Sequence, residues 1–167
     1  VDHIWSAQKV ADTYGCPAYI HPEDRFMLTD PIKGFGPRIG QLLFGALFAE
    51  PRQVIELAVD GEQLNFGELL VTVDHTPGHT QGSVTFRTPY GEADISELMF
   101  AGDLLFAGSI GRTDLPGGDH AAMLRSLATK VLPLADDIVV LPGHGEQTTI
   151  GRERAVNPFL QDLVDTG

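Results

Sequence analysis

Three apolar runs of this chain each give way to a turn, and a residue that commonly binds metal ions directly follows a glycine of that turn. The runs cover residues 69–73, 98–101 and 137–141, and the residues that follow their turns are His79, Asp103 and His144. Such runs predict buried strands. Strand ends that gather imidazole and carboxylate groups at one edge of a sheet meet the needs of a divalent metal site. The pattern therefore predicts a buried sheet with a catalytic type of metal site at its rim.

The segment TPGHTQGS at residues 76–83 places His79 on a short loop. Its Pro-Gly pair ends the preceding strand, and another apolar run follows. A histidine on a tight loop between two buried strands is held rigidly, which suits a metal ligand. Taken alone, the segment is also compatible with a plain hairpin that has a polar tip. His75 ends the same strand, and we expect it to be a hydrogen-bonded structural histidine, as we expect for His21 and His120.

The composition excludes several classes of protein. With 167 residues, 43% of them apolar and 20% charged, the chain matches one ordinary globular domain. Its 23 acidic residues outnumber 11 basic ones, and a net charge of −12 repels phosphate backbones, so we expect no nucleic-acid partner. No apolar run reaches the roughly 20 residues of a membrane helix, so we expect no membrane partner and a cytoplasmic location. Cys16, the single cysteine, excludes an internal disulfide, and we expect it to be a small buried residue.

Turn and capping signals divide the rest of the chain into short elements. Gly15 is expected to end an amphipathic helix, and Asp119 and Thr149 are expected to cap two later helices. The Asp-Gly pair at 60–61 predicts a hairpin turn between the strands on either side of it. The nearly uncharged run 39–48 predicts a helix that is buried, forms a lid or contacts a partner.

Short motifs along the chain resemble, in order and spacing, those of the metallo-β-lactamase superfamily, and above all its short glyoxalase II-like (hydroxyacylglutathione hydrolase-like) members. The motifs are Asp2-His3, TPGHT at 76–80, Gly102-Asp103, SIGRTD at 109–114, LPGHG at 141–145, and the segment from 151 to 159. The resemblance implies an α/β fold, a four-layer αββα sandwich, as a single domain over residues 1–167. The first strands of that fold and the His-x-His part of its metal motif are missing from this chain, so we expect the natural protein to extend N-terminally.

The resemblance implies metal-binding roles for five residues of this chain. Asp2, His3 and His144 match positions that bind the second of two ions. His79 matches a position that binds the first ion, and Asp103 matches the carboxylate that bridges both. The expected cofactors are two divalent ions, zinc first, with iron or manganese as alternatives. Without the resemblance, the first two residues would be interpreted as a helix cap and the other three as ordinary loop residues.

The resemblance also implies a hydrolase that cleaves a small-molecule thioester by a metal-bound hydroxide, with Asp2 and Asp103 as its catalytic residues. A thioester suits such a site because its thiol, with a pKa near about 8.5, leaves without a dedicated general acid. Arg112 is expected to bind substrate, although an internal ion pair with Asp114 is equally compatible with the sequence. The identity of the thiol and the number of subunits stay open.

Other activities are compatible with the same motifs. One is an iron-dependent persulfide dioxygenase, which shares the Gly-Arg-Thr-Asp run at 111–114, and another is a hydrolase of other small esters. A third is a non-catalytic binding module on the same scaffold. Antibiotic hydrolysis is not expected, because lactamases of the superfamily carry Cys or Ser where this chain has Asp103.

Overall fold

The computed structural model describes residues 4, 6–30, 49–92 and 94–165. These residues pack as two units, Val1–Ala58 and Val59–Gly167. The predicted ligands Asp2 and His3 lie outside the described residues, as does the apolar run 39–48. The interpretation of the chain as a single domain stays a prediction.

The first unit begins with helix α1, Ala7–Tyr14. Gly15 ends it in a left-handed conformation at φ 64°, which confirms the predicted helix end. Strands β1, Ala18–Ile20, and β2, Val54–Glu56, pair in parallel. Cys16 is exposed, so its prediction as a buried residue is wrong. It directly follows the residue that ends the helix, where the chain turns through solvent.

A 3₁₀ helix, Pro22–Leu28, follows β1 in the first unit. His21 caps it, because its Nδ1 accepts a hydrogen bond from the Glu23 amide at 3.3 Å. The Arg25 guanidinium donates to the carboxylates of Glu50 and Glu56 at 2.9 and 2.8 Å, which ties the helix to β2. The structural role expected for His21 is therefore confirmed.

The second unit is built around a sheet of six strands among its described residues. The described residues of this unit form eight strands in all: β3 (Glu62–Phe66), β4 (Leu69–His75), β5 (Val84–Pro89), β6 (Glu97–Gly102), β7 (Leu105–Phe106), β8 (Ser109–Ile110), β9 (Val139–Pro142) and β10 (Thr148–Thr149). The order in the sheet is β10-β9-β6-β5-β4-β3. Strands β6 and β9 run parallel, whereas the other neighbours are antiparallel. Strands β7 and β8 form a separate small hairpin.

The helices of the second unit are α2 (His120–Ser126), a short π-helical segment (Leu127–Val131), α3 (Ile150–Val156) and α4 (Pro158–Asp165). Both predicted caps are confirmed. The carboxylate of Asp119 accepts a hydrogen bond from the third residue of α2 at 2.9 Å, and the Thr149 hydroxyl accepts one from the third residue of α3 at 3.2 Å. No described helix is long and apolar enough to cross a membrane.

One face of the large sheet carries the core of the second unit. Met99 and Val140, from the parallel neighbours β6 and β9, are almost completely buried. The apolar side chains of the helices pack against them: Met123, Leu127, Val131, Ile150 and Leu160. Each fully buried side chain of this size contributes about 1.5–3 kcal/mol to folding. This packing fixes the ends of β6 and β9, where two of the predicted ligands follow.

The predicted hairpin at residues 60–61 is wrong. Strand β2 pairs with β1, and β3 pairs instead with β4 through a turn at Gly67, whose φ is 66°. The Asp60 carboxylate accepts the backbone N–H of His75 at 2.9 Å, so this residue supports the far end of β4. The Asp-Gly pair does mark a turn, but the strand before it has its own partner.

Candidate metal centre

Two of the predicted ligands meet because they follow neighbouring parallel strands. The last residues of β6 and β9, Gly102 and Pro142, are register partners. The next amide, that of Gly143, donates to the Gly102 carbonyl at 2.8 Å and holds the two strand ends together. Asp103 and His144 therefore leave the sheet side by side, as the sequence predicted.

The Asp103 carboxylate lies between two imidazoles. His79 Nε2 is 3.3 Å from Oδ2 of Asp103, and His144 Nε2 is 3.8 Å from Oδ1. Each histidine thus faces a different oxygen of the same carboxylate. The Asp103 side chain is 14% exposed, whereas the His144 side chain is 57% exposed, so the cluster is covered on one side and open on the other.

Hydrogen bonds within the loop hold His79 in place. The Thr76 amide donates to the Ser83 carbonyl at 2.8 Å, and the Thr80 amide donates to the Ser83 hydroxyl at 3.0 Å. His75 Nε2 donates to the carbonyl of Gln81 at 2.9 Å. The structural role expected for His75 is confirmed, because its ring closes the loop that carries the candidate ligand.

The imidazole of His79 is also held from its other side. Its Nδ1 lies 2.9 Å from the backbone carbonyl of Arg112. Because a carbonyl oxygen only accepts, Nδ1 donates to it, and this hydrogen bond orients the ring with Nε2 toward Asp103. Histidine ligands of metal ions are commonly oriented in this way, through a backbone carbonyl on the second nitrogen.

Two glycines allow the close packing behind these ligands. A Cβ atom on Gly78 would lie 2.5 Å from the Cα of Met123, and the φ of Gly78 is 152°, which side chains disfavour. A Cβ atom on Gly111 would overlap the backbone carbonyl of Asp103. The loop before His79 and the segment after Asp103 therefore approach their neighbours more closely than any other residue would permit.

The side chain of Arg112 forms the ion pair that was one of its two predicted roles. Its Nε and Nη2 each donate to Asp114 at 2.8 Å, and the two side chains are 60% and 68% exposed. The hydrogen bond from this guanidinium lowers the pKa of the Asp114 carboxyl to about 2. Substrate binding by Arg112 stays a prediction.

The donor set fits a divalent cation. Imidazole nitrogen and carboxylate oxygen are the ligands that zinc, iron and manganese share. Two ligands of one tetrahedral zinc ion, each about 2.0–2.2 Å from it, lie roughly 3.3–3.5 Å apart, which matches the pair of His79 and Asp103. No group of three or more His, Cys, Asp or Glu side chains that could hold one ion lies within the described ranges. The cluster instead consists of two imidazole–carboxylate pairs that share Asp103, and Asp2 and His3 lie outside those ranges.

Two features near the site were missed by the sequence interpretation. One is the Arg112 carbonyl. Every residue carries a carbonyl, so the sequence does not single this one out, and the neighbouring Gly111 is its only sequence signal. The other is a groove of about 390 Å³ beside the loop of His79, lined by Pro77, Gly78, Thr80, Gln81, Gly118 and Asp119. The consecutive glycines at 117–118 are the sequence signal for the close backbone approach that forms its other wall.

Comparisons with known proteins identify the family of this chain. Residues 1–144 match the family model described as the metallo-beta-lactamase superfamily. An uncharacterized protein of Mycobacterium tuberculosis is 59% identical over 163 residues, which are 98% of this chain and 73% of that protein. Hydroxyacylglutathione hydrolase GloC of Haemophilus influenzae is 38% identical over 165 residues, which are 96% of this chain and 71% of that protein.

Solved structures give the same answer for the fold. BLEG-1, a B3 metallo-beta-lactamase, is 39% identical with a TM-score of 0.78, over 95% of this chain and 72% of that one. TTHA1623 in a di-iron-bound form is 34% identical with a TM-score of 0.71, over the same shares of the two chains. The predicted metallo-β-lactamase fold, a mixed α/β fold, is confirmed. The chain belongs to the metallo-β-lactamase superfamily and is a metallo-hydrolase of that family.

Proposed function

We propose that this metallo-hydrolase cleaves a small-molecule thioester, in the manner of glyoxalase II-like enzymes, with two divalent cations at the candidate site. The observation that carries the proposal is the position of the Asp103 carboxylate between two imidazoles, each of which faces a different oxygen at 3.3 or 3.8 Å. A carboxylate in that position suits a bridge between two ions. The relation to GloC of Haemophilus influenzae supports the glyoxalase II-like assignment.

Under this proposal His79 holds the first ion and His144 the second, with Asp103 shared between them. Asp2 and His3 complete the ligands of the second ion. Divalent cations bound here would lower the pKa of water toward neutrality and polarise a substrate carbonyl group. Zinc is the expected metal, and TTHA1623 in its di-iron-bound form keeps iron as an alternative.

The residues of this chain prepare the site before any cation binds. The Arg112 carbonyl lies 2.9 Å from His79 Nδ1 and orients the ring so that Nε2 faces Asp103, where a cation would bind. The low exposure of Asp103 strengthens its attraction for cations, because less water screens its charge. His144 is the more exposed of the two histidines, which leaves the cluster open to solvent on that side.

A thioester fits the acid–base properties of this arrangement better than an amide. A thiol with a pKa near about 8.5 leaves as a thiolate at neutral pH, whereas an amine must be protonated as it leaves. The two histidines and Asp103 are all assigned to metal binding and are thus not proton donors to a leaving group. The proposal therefore needs no further acid.

The groove beside the loop of His79 is large enough for a small molecule, although none of the candidate ligands lines it. Its volume of about 390 Å³ lies within the range of roughly 300–1,000 Å³ that is typical of ligand pockets. The net charge of −12 disfavours a nucleic acid in the same place. We therefore propose a small thioester as the partner, without assigning its thiol.

Two other activities have specific support. The Gly-Arg-Thr-Asp run at 111–114 favours a persulfide dioxygenase, which would use one iron ion. The 39% identity to BLEG-1, a B3 metallo-beta-lactamase, favours β-lactam hydrolysis, which the aspartate at position 103 led us not to expect. Either activity would use the same imidazole and carboxylate groups.

Three substrates tested on the full-length protein separate these candidates. The assays are thiol release from a lactoyl thioester of glutathione, oxygen consumption with glutathione persulfide, and ring opening of a chromogenic cephalosporin. We expect thiol release to be the fastest reaction by at least tenfold in kcat/KM. Substitution Asp103→Asn should abolish it, whereas the matched control Asp94→Asn, at an exposed position, should retain it.

A dominant rate with the persulfide or the cephalosporin would replace the proposed thioester activity with that reaction. Equal thiol release by wild type and Asp103→Asn would contradict the assigned site itself. The two results are separate, because the first concerns the substrate and the second concerns the residues.

A further inference from the structure

Two polar side chains of the second unit are fully buried on helix α3 and directly after it, outside the cluster of candidate ligands. Glu153, on α3, and Asn157, directly after it, each have 0% of their surface exposed. A buried carboxylate is costly unless its oxygens accept several hydrogen bonds. The hydrogen-bond partners of these two side chains therefore indicate which part of the structure they stabilise.

Their hydrogen bonds converge on the hairpin of β7 and β8. One oxygen of Glu153 accepts from the Gly108 amide at 2.7 Å and from Asn157 Nδ2 at 2.9 Å. The other accepts the Thr148 hydroxyl at 2.5 Å. Asn157 Nδ2 also donates to the Ser109 carbonyl at 3.1 Å. The side chains thus bind both a donor and an acceptor of the hairpin backbone.

The orientation of the Asn157 amide follows from its partners. Its Nδ2 faces three acceptors, the Glu153 carboxylate and the carbonyls of Ser109 and Phe106, while its Oδ1 accepts the Phe159 amide at 3.1 Å. The flipped amide would point an oxygen at these acceptors and a nitrogen at a donor. The pair therefore forms one satisfied network, which we call the Glu153–Asn157 clamp.

The segment held by the clamp connects two candidate ligands, Asp103 and His79. Asp103 lies just before the hairpin, and Gly111, just after it, packs against the Asp103 backbone and donates to the Leu104 carbonyl at 3.2 Å. The next residue, Arg112, presents the carbonyl that binds His79 Nδ1. A shift of the hairpin would thus be transmitted to Asp103 at one end and to His79 at the other.

We propose that Glu153 and Asn157 are positioning residues for metal binding: the clamp fixes the segment 103–112, and through it the distance between Asp103 and His79. The inference rests on the proposed function only in that divalent cations bind at this cluster. Neither residue touches the cluster. Their effect is on the affinity for the metal rather than on the chemistry.

The test is zinc affinity, measured by competition with a chromophoric chelator, in the full-length protein under conditions where every variant is folded. Loss of a hydrogen bond made directly to a metal ligand commonly lowers metal affinity about 10–100-fold. Because the clamp acts one step further from the ligands, we expect Glu153→Ala and Asn157→Ala to raise the zinc dissociation constant by the low end of that range, about tenfold. Glu153→Gln keeps an acceptor for the Gly108 amide, and its second group can donate to the Thr148 hydroxyl, so it should stay within about threefold of wild type.

Arg154→Gln is the matched control for lost stability. Arg154 is also on α3, pairs with Asp136, and donates to the carbonyls of Leu132 and Leu134 at 3.0 and 2.6 Å. It makes no such bond to the hairpin. We expect this variant to unfold at lower denaturant concentration and to bind zinc as tightly as wild type.

The outcomes separate the clamp from the proposed function. If Glu153→Ala does not fold, Asn157→Ala still decides, because it leaves the bond between Glu153 and Gly108 in place. Wild-type affinity in Asn157→Ala, or an equal loss in Arg154→Gln, would overturn the clamp and leave the metal site standing. A wild-type protein that binds no zinc, manganese or iron would overturn both.

Discussion

Gly111 packs its α-carbon against the backbone carbonyl of Asp103, where a side chain would overlap that oxygen. Position 111 requires glycine because there is no room for a side chain. Backbone conformation is not the reason, since the φ of Gly111 does not lie in the left-handed region. The same contact links the residue after the hairpin to a candidate ligand. A single added methyl group should therefore displace the carboxylate.

We predict that Gly111→Ala destabilises the protein by about 1–3 kcal/mol or more, as overpacking of a tight contact does, and weakens metal binding. Gly91→Ala is the control, because a Cβ at that exposed position would meet nothing within 4 Å. Urea unfolding and a zinc titration of both variants provide the measurement. Equal stability of the two variants would contradict the packing described here.

The Arg112 side chain and the Arg112 carbonyl have separate tasks. The guanidinium pairs with Asp114 at an exposed position, and exposed pairs contribute little to stability. We predict that Arg112→Ala leaves the free energy of unfolding and the zinc affinity close to those of wild type. A tenfold loss of zinc affinity in this variant would show that the side chain, rather than the carbonyl, supports His79.

At the residue scale, the sequence revealed the groups whose chemistry is in their side chains. His79, Asp103 and His144 were predicted to converge because imidazole and carboxylate after strand ends are a recognisable pattern. The carbonyl that orients His79 was not predictable, because it belongs to the backbone of a residue chosen for other reasons. Asp2 and His3 stay predictions.

Strand β4 leads into the loop of His79, and charged side chains brace it. Lys130 Nζ lies 2.6 Å from the Asp60 carboxylate, which also accepts the His75 amide. Burial raises the pKa of the Asp60 carboxyl, but the hydrogen bonds from Lys130 and from the His75 amide outweigh it, so the pKa lies below the ordinary 3.8. The folded state therefore prefers the ionised form.

This preference sets the direction of a pH dependence. A carboxyl with a lowered pKa contributes stability above its unfolded value of 3.8 and loses it as the pH falls through the lower folded value. We predict that the stability difference between wild type and Asp60→Asn is constant near neutral pH and shrinks below about pH 4. Urea unfolding from pH 7 to pH 3, with Asp94→Asn as control, measures it. A difference that is still constant at pH 3 would contradict the assigned ion pair.

At the element scale, local signals predicted ends better than partners. Gly15, Asp119 and Thr149 end or cap helices as predicted, because these roles depend on a few neighbouring residues. The Asp-Gly pair at 60–61 was misread as a hairpin, because the choice of β1 as the partner of β2 depends on contacts with residues far away in the sequence. Strand pairing is thus harder to predict from a sequence than the ends of helices.

The whole molecule carries a net charge of −12, and divalent cations would offset part of it. A ligand that binds only the folded state stabilises it by about 2.7 kcal/mol at 100 times its dissociation constant. We predict that zinc raises the Tm of the metal-free protein and that a chelator reverses the change. Magnesium at the same concentration is the control, since it prefers oxygen ligands. Equal shifts by both ions would indicate general charge screening instead.

At the scale of the whole chain, the family fold was predictable because its motifs are spread along nearly all of the sequence. The division into two units was not visible, because no linker or change of composition marks residue 58. The groove at the loop of His79 was not predictable either, since it depends on the close approach of segments about forty residues apart.

Asp103 and the two imidazoles beside it form the proposed binding site for divalent cations. Zinc stoichiometry and affinity of the full-length wild-type protein, compared with Asp103→Asn and Asp94→Asn, measure whether cations bind there. We expect two zinc ions per chain for wild type and Asp94→Asn, and a loss of both ions or a large loss of affinity for Asp103→Asn. Unchanged zinc stoichiometry and affinity in Asp103→Asn would show that the cations do not bind at Asp103.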